Sequence, residues 1–230
     1  MTKNALNKLI EGHQTFQTDI YPRYSELLHD LAAEQKPRVL LITCSDSRIV
    51  PSLLLDFDPG EVFVCRTAGN IVPPYEDEAC QQADGVSATL EYAIEALGIH
   101  EIIVLGHSDC GAMKGVLKPE LVQKLPATAR WLKHAEPALR VVGDPKSGPF
   151  HEHVNRMAQE NVIMQVANLR THPSVAAGIQ AGTIRMHGWY LDIPTGAFLR
   201  FDVPRRAFLP LSWGELGETE SDSFEEGAAA

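Results

Sequence analysis

Apolar residues along this 230-residue chain recur with two different spacings, and the spacing changes from segment to segment. Val39-Leu40-Leu41-Ile42-Thr43 is a continuous apolar, β-branched run. It predicts a strand buried on both faces, as in a parallel sheet. Glu61-Val62-Phe63-Val64-Cys65 and Glu101-Ile102-Ile103-Val104-Leu105 read the same way. Between them, Val86, Leu90, Ala93, Ile94 and Leu97 share one helical face, with Gly98 as the stop. Strand, helix, strand in this rhythm predicts right-handed βαβ units. At the start, Leu6, Leu9, Ile10, His13 and Phe16 form a helical stripe over residues 4–19, and Pro22 suits the first turn of a second helix running towards Gln35. This arm packs on its own core or on a second subunit, and the pattern leaves both open.

Further along, Pro119 to Arg140 is helical in pattern but interrupted by Pro126 and Pro137. Residues 144–149 form a loop. Residues 151–169 predict a long helix with Val154, Ala158, Val162, Val166 and Leu169 on its buried stripe. Residues 183–190 and 197–202 predict two strands joined by a hairpin at Pro194-Thr195-Gly196. The last strand is then antiparallel at a sheet edge. The expected class is α/β: a central, mostly parallel sheet with an added antiparallel edge strand, flanked by helices and preceded by an N-terminal helical arm. Its divisions are the arm over 1–36, an α/β domain over 37–213 that carries the candidate chemistry, and a tail over 214–230. The tail is acidic, holds no Lys or Arg, and reads as disordered.

Two strands of the pattern run directly into chemically loaded segments. Cys44-Ser45-Asp46-Ser47-Arg48 follows the first, and His107-Ser108-Asp109-Cys110-Gly111 follows the third. Ligands in open α/β sheets collect at the carboxyl ends of strands, so both segments are expected at one edge. Cys44, His107 and Cys110 are ligand types suited to zinc. Three protein ligands with a position left for water are the mark of a catalytic rather than a structural zinc site. Cys110 is expected to open a helix at Gly111, where the helix dipole favours a thiolate. In an extended segment Asp46 and Arg48 would stand on the same side as Cys44. Paired with Arg48, Asp46 can orient a water on the metal; unpaired, it can bind the metal itself and close the site. Plainer readings stand beside these: Cys44 as a buried strand-end cysteine, and Asp46–Arg48 as a structural ion pair. His151 and His153 diverge on a helix and read as a solvated face.

Composition narrows the classes. A net charge of −10 argues against general nucleic-acid binding and would not gather an anion, so any anion must be attracted locally by Arg48 and Arg66. Four cysteines in a chain of this length are not a disulfide framework, and Cys65 and Cys80 are left without a role. No signal peptide and no membrane-spanning run is visible. The expectation is a cytoplasmic protein without nucleic-acid or membrane partners.

Taken together, Cys-Ser-Asp-Ser-Arg and His-Ser-x-Cys-Gly resemble the β-class carbonic anhydrases. The likeness runs from Gln35 to Gly115 and includes Pro59-Gly60-Glu61, Arg66-Thr67-Ala68-Gly69-Asn70 and Glu91-Tyr92-Ala93. It continues more weakly through residues 151–200. The resemblance implies Zn²⁺ on Cys44, His107 and Cys110, an Asp46–Arg48 dyad, and reversible hydration of carbon dioxide to bicarbonate and a proton. It also implies a homodimer or higher homo-oligomer whose N-terminal helices embrace the partner. By position, the substrate pocket of the plant-type branch corresponds to Gln35, Phe63, Ala68, Tyr92 and Gly111, some of them from the neighbouring subunit. Ala68 stands where valine is usual, and Thr67 where asparagine is common. The other branch carries a tryptophan three residues before the first cysteine; here that residue is Leu41, which points to the plant-type branch. Left alone, Gln35 reads as an exposed helix end, and Phe63 and Tyr92 as plain core. Two other functions share these motifs: hydrolysis of carbon disulfide or carbonyl sulfide on the same scaffold, and a non-catalytic zinc-stabilised scaffold protein.

Overall fold

The computed structural model describes residues 4–75, 85–143 and 148–212. The acidic tail, Cys80 and most of the predicted 144–149 loop lie outside these residues. Helix α1 (Ala5–Thr15) runs through a π-helical turn (Phe16–Ile20) into α2 (Tyr21–Leu31), which carries Pro22 in its first turn as predicted. Neither helix has a buried residue, and Leu6, Leu9 and Ile10 are 61%, 70% and 51% exposed. The arm therefore does not pack its apolar stripe on its own core. The second helix also stops earlier than expected, leaving Gln35 exposed in the link to β1 (Val39–Cys44).

From β1 the chain passes through α3 (Pro51–Leu55), β2 (Val62–Thr67), α4 (Gly85–Glu91), β3 (Glu101–His107), α5 (Gly111–Leu117), α6 (Pro126–Leu132) and α7 (Leu139–Val142). It ends with α8 (Phe150–Leu169), α9 (Pro173–Gln180), β4 (Arg185–Asp192), β5 (Ala197–Asp202) and β6 (Ala207–Pro210). The predicted helix over 86–97 is α4 followed by a π-helical turn at Tyr92–Ala96, and Gly98 stops it at φ +66°. The prolines at 126 and 137 do divide the 119–142 stretch.

The strands form one sheet in the order β2-β1-β3-β4-β5-β6. The first four are mutually parallel, and β5 and β6 are added antiparallel. The mostly parallel α/β class is thus as expected, with two corrections. β5 is not the edge strand, because the short β6 lies beyond it. β2 is not buried on both faces, because it is the opposite edge and its Val64 is 38% exposed. The predicted double burial holds for the interior strands β1 and β3.

Alternation of side chains sorts the central strands between two faces. Leu40, Ile42, Ile102 and Val104 pack with Val86, Leu90 and Ala93, with Val162, Val166 and Leu169 of α8, and with Val175 of α9. Leu41, Ile103, Leu105 and Leu191 pack on the other face with Ile49, Leu54 and Trp189. α8 lies unusually close to the sheet, and two glycines allow it. A Cβ on Gly106 of β3 would stand 2.5 Å from Val162 Cγ2, and one on Gly188 of β4 would stand 3.0 Å from Val162 Cγ1. This close seating brings the polar residues of α8 to the loops at the carboxyl ends of β2 and β3.

Candidate metal centre

β1 and β3 are neighbours in parallel register, Thr43 beside Leu105, so their last residues emerge at the same edge. Those residues are Cys44 and His107. Ser45 stays tied to the sheet by its N–H on the Thr67 carbonyl at 2.9 Å, and Ser108 by its N–H on the Leu191 carbonyl at 2.9 Å. Cys110 is the N-cap of α5, as expected from the glycine after it. The side-chain ligand atoms of Cys44, His107 and Cys110 all lie within 4.8 Å of one another. All three residues are buried, at 5%, 1% and 1% exposure.

The imidazole is fixed in one tautomer by its neighbour. Nδ1 of His107 lies 2.8 Å from the Ser108 carbonyl, which can only accept, so Nδ1 carries the proton. Nε2 is left with a lone pair and, though buried, has no hydrogen-bond partner. A buried acceptor without a partner is costly, by about 1–3 kcal/mol, and demands an explanation. A metal ion bound between Nε2 and the two sulfurs supplies one. The thiols point the same way. Cys44 is held well below the ordinary thiol range, chiefly by a hydrogen bond from Cys110, which together with hydrogen bonds from backbone N–H groups outweighs its burial. Cys110 is pushed up by that shared proton and by its own burial. A thiolate is the ligand form of cysteine, and this cluster already stabilises one.

Asp46 stands outside the trio, with Oδ2 3.8 Å from His107 Nε2. The segment is not extended, as the sequence suggested, but turned. The Arg48 N–H donates to Asp46 Oδ1 at 2.9 Å, and Ile49 N–H donates to the Asp46 carbonyl at 3.0 Å. The turn brings the guanidinium back onto its own carboxylate. Nε donates to Oδ1 at 3.0 Å and Nη2 to Oδ2 at 2.8 Å, the two-pronged geometry arginine favours. Those hydrogen bonds hold the Asp46 carboxyl far below its usual range. Arg66 braces the same loop from β2, with Nη2 donating to the Cys44 carbonyl at 2.8 Å and to the Asp46 carbonyl at 2.8 Å. Of the two states the sequence allowed for Asp46, this is the paired one.

The trio and dyad side chains come together, but the five residues expected to form a pocket divide. Ala68 and Gly111 adjoin the centre: Ala68 precedes Gly69, whose N–H donates to Cys44 Sγ at 3.3 Å, and Gly111 follows Cys110. Phe63 is in register with Leu40, four residues before Cys44, so it sits about 13 Å back along the sheet at the usual strand rise. It pairs there with Tyr92, ring centroids 6.1 Å apart, and Tyr92 is 50% exposed. Gln35 is exposed in the link before β1. His153 is buried rather than solvated, with Nδ1 3.2 Å from the Pro149 carbonyl.

Family comparison fits this geometry. A family model described as carbonic anhydrase matches residues 39–198. The chain belongs to the β-carbonic anhydrases. It is 44% identical over 207 residues to a carbonic anhydrase of Pseudomonas aeruginosa, covering 90% of this chain and 92% of that one. It superposes with a TM-score of 0.85 on the β-carbonic anhydrase CcaA, at 39% identity over 90% of this chain and all of that one. A tetrameric β-carbonic anhydrase of Sordaria macrospora gives a TM-score of 0.74 at 25% identity, covering 91% of this chain and all of that one.

One feature of this carbonic anhydrase escaped the sequence reading. Asn161, Gln165 and Asn168 of α8 form an amide spine against the segment that follows β2. Asn161 Nδ2 donates to the Gly69 carbonyl at 2.9 Å, and Gln165 Nε2 donates to Asn161 Oδ1 at 2.9 Å. Val72 N–H donates to Gln165 Oε1 at 2.9 Å, and Asn168 Nδ2 donates to the Val72 carbonyl at 2.8 Å. Gly69 itself lies at φ +77°, a backbone that favours glycine. The spine therefore anchors, through its carbonyl, the residue whose own N–H reaches the Cys44 sulfur. Its signal in the sequence was a run of amides at i, i+4 and i+7 beside the apolar stripe, a spacing that shares one helix face.

Proposed function

We propose that this chain catalyses zinc-dependent, reversible hydration of carbon dioxide to bicarbonate and a proton. The observation that carries the reading is the partnerless, buried Nε2 of His107 facing two cysteine sulfurs. Cys44, His107 and Cys110 would hold Zn²⁺, which supplies hydroxide near neutral pH by acidifying water. The chain's own residues do the rest. Asp46, anchored by Arg48, presents a fixed carboxylate that accepts a hydrogen bond beside the metal position. Arg48 and Arg66 supply local positive charge for bicarbonate in an otherwise acidic protein.

Ala68 and Gly111 line the pocket from the same chain as the metal. Gln35, Phe63 and Tyr92 serve the pocket of a second copy, which is why they lie away from the trio in one chain. That assignment agrees with the arm's exposed stripe, and the Sordaria relative is a tetramer. The working protein is accordingly a homodimer or larger, with residues 1–36 as the arm, 37–213 as the catalytic domain and 214–230 as a tail. Leu41, wholly buried in β1, supports the plant-type branch. A cytoplasmic location fits the thiol chemistry, since two reduced cysteines must be kept for the metal; among the described residues no helix is long and apolar enough to cross a membrane.

Stopped-flow carbon dioxide hydration, with zinc content on the same sample, tests this reading. Cys110→Ala should lose the metal and the activity together. Asp46→Asn should keep zinc and lose most activity. Turnover of carbonyl sulfide without turnover of carbon dioxide would replace this reading with the hydrolase, and zinc without any turnover would replace it with the scaffold protein.

A further inference from the structure

Arg48 serves a second acid besides Asp46. Its Nη1 donates to Asp109 Oδ2 at 3.2 Å, and its Nη2 donates to the Asp109 carbonyl at 3.2 Å. One guanidinium therefore bridges the loop after β1 and the loop after β3. Asp109 is itself firmly placed. Its N–H donates to Asn155 Oδ1 on α8 at 2.8 Å, and its Oδ1 pairs with Lys114 of α5. Its backbone lies at φ +56°, a left-handed conformation that glycine adopts freely and a side chain only against steric resistance. A carboxylate stands there all the same, with one oxygen on Lys114 and the other on Arg48.

The charges explain how Asp109 can hold Arg48 without stealing it. Lys114 neutralises much of Asp109, and what remains is a longer contact than the two-pronged grip on Asp46, 3.2 Å against 2.8 and 3.0 Å. Asp109 thus fixes the plane and reach of the guanidinium while Asp46 keeps the stronger bonds. The consequence falls on Asp46, whose Oδ2 is only 3.8 Å from His107 Nε2. When the guanidinium swings away, Asp46 Oδ2 becomes a free ligand beside the metal position, while Oδ1 keeps the Arg48 backbone N–H.

We propose that Asp109 is a positioning residue: it pins Arg48 onto Asp46 and so keeps Asp46 from occupying the metal's exchangeable position. This rests on the functional reading above. Asp109→Gly is the direct variant, because glycine suits φ +56° and removes the carboxylate without threatening the fold; Asp109→Asn, neutral and also at ease there, is the intermediate.

The probe is thiocyanate added to the cobalt-substituted holoprotein at one fixed pH, read from the visible spectrum, with urea unfolding of each variant alongside. Asp109→Gly is expected to need at least about tenfold more thiocyanate than wild type, the loss of roughly one hydrogen bond to a charged group. Asp109→Asn should fall between them, and unfolding midpoints should stay close to wild type. The double variant Asp46→Asn/Asp109→Gly should regain the wild-type response, since an amide replaces the competing carboxylate. A structural role alone would move the unfolding midpoint and leave the thiocyanate response in place. Equal thiocyanate affinity in wild type and Asp109→Gly would overturn the proposal while leaving the metal centre standing. A wild type that takes up no cobalt would overturn the metal centre and the proposal with it.

Discussion

Replacing Asn161 by alanine tests whether the amide spine supports the metal centre or merely fills space. Asn161 is wholly buried and makes two short hydrogen bonds, to the Gly69 carbonyl and from Gln165 Nε2, each 2.9 Å. Alanine leaves the Gly69 carbonyl without its side-chain donor, at about 1–3 kcal/mol for a buried group. Gln165 Nε2 keeps a weaker contact with the His134 carbonyl at 3.5 Å, so its loss is partial. Adding the small space left behind, the total is about 2–4 kcal/mol. Equilibrium urea unfolding of the metal-loaded protein reads this, at fixed protomer concentration because assembly adds to apparent stability. With a slope near 2 kcal/mol/M, the midpoint should fall by about 1–2 M. The sulfur-to-cobalt absorption band of the cobalt form should shift as well, because Gly69 N–H would loosen on the Cys44 sulfur. Asn161→Asp should be no better, since a carboxylate cannot donate to a carbonyl. An unfolding free energy for Asn161→Ala within about 0.5 kcal/mol of wild type, the range of an ordinary surface change, would refute the reasoning.

Gly106→Ala should destabilise by about 1–3 kcal/mol or more, through a Cβ 2.5 Å from Val162 Cγ2 and 3.3 Å from the Ala158 carbonyl. Val162→Ala in the same chain should recover part of that loss, and a strictly additive double variant in urea unfolding would deny the contact. Glu101 offers a pH test remote from the metal. Burial raises its carboxyl, but hydrogen bonds from His187 at 2.9 Å and from Arg185 outweigh it and hold the carboxyl below 4.5. A depressed carboxyl stabilises the fold above its unfolded value and loses that contribution as pH falls through the folded one. Glu101→Gln should therefore cost about 0.5–1.5 kcal/mol at pH 7, with the difference shrinking below about pH 4.5. Wild-type and variant stability curves that stay parallel from pH 7 to 3 would deny it.

The parts of the fold that could be read from the sequence are those where one pattern has one physical meaning. Val39–Thr43 and Glu101–Leu105 are apolar on both faces, and both strands lie in the sheet interior. Val62-Phe63-Val64 carries the same pattern on an edge strand, because a run of apolar side chains does not say which neighbour covers it. α9 and β6 went unseen: one is rich in small residues, and the other is four residues long. At the site, Cys44, His107 and Cys110 were legible because metal chemistry selects those side chains wherever a fold brings them together. Their supports were not. Asn161, Gln165 and Asn168 are residue types that usually meet water, and only the close seating of α8 over Gly106 and Gly188 turns them inward. The Asp46–Arg48 pair was legible as chemistry but not as geometry, since a turn rather than an extended strand closes it.

X-ray absorption at the zinc edge of the purified protein puts the central claim to the most direct test. Two sulfur scatterers near ~2.3 Å and nitrogen or oxygen scatterers near ~2.0–2.1 Å are expected, with the sulfur signal lost in Cys110→Ala along with the metal. A zinc-loaded protein whose spectrum shows no sulfur would contradict the metal centre formed by Cys44, His107 and Cys110.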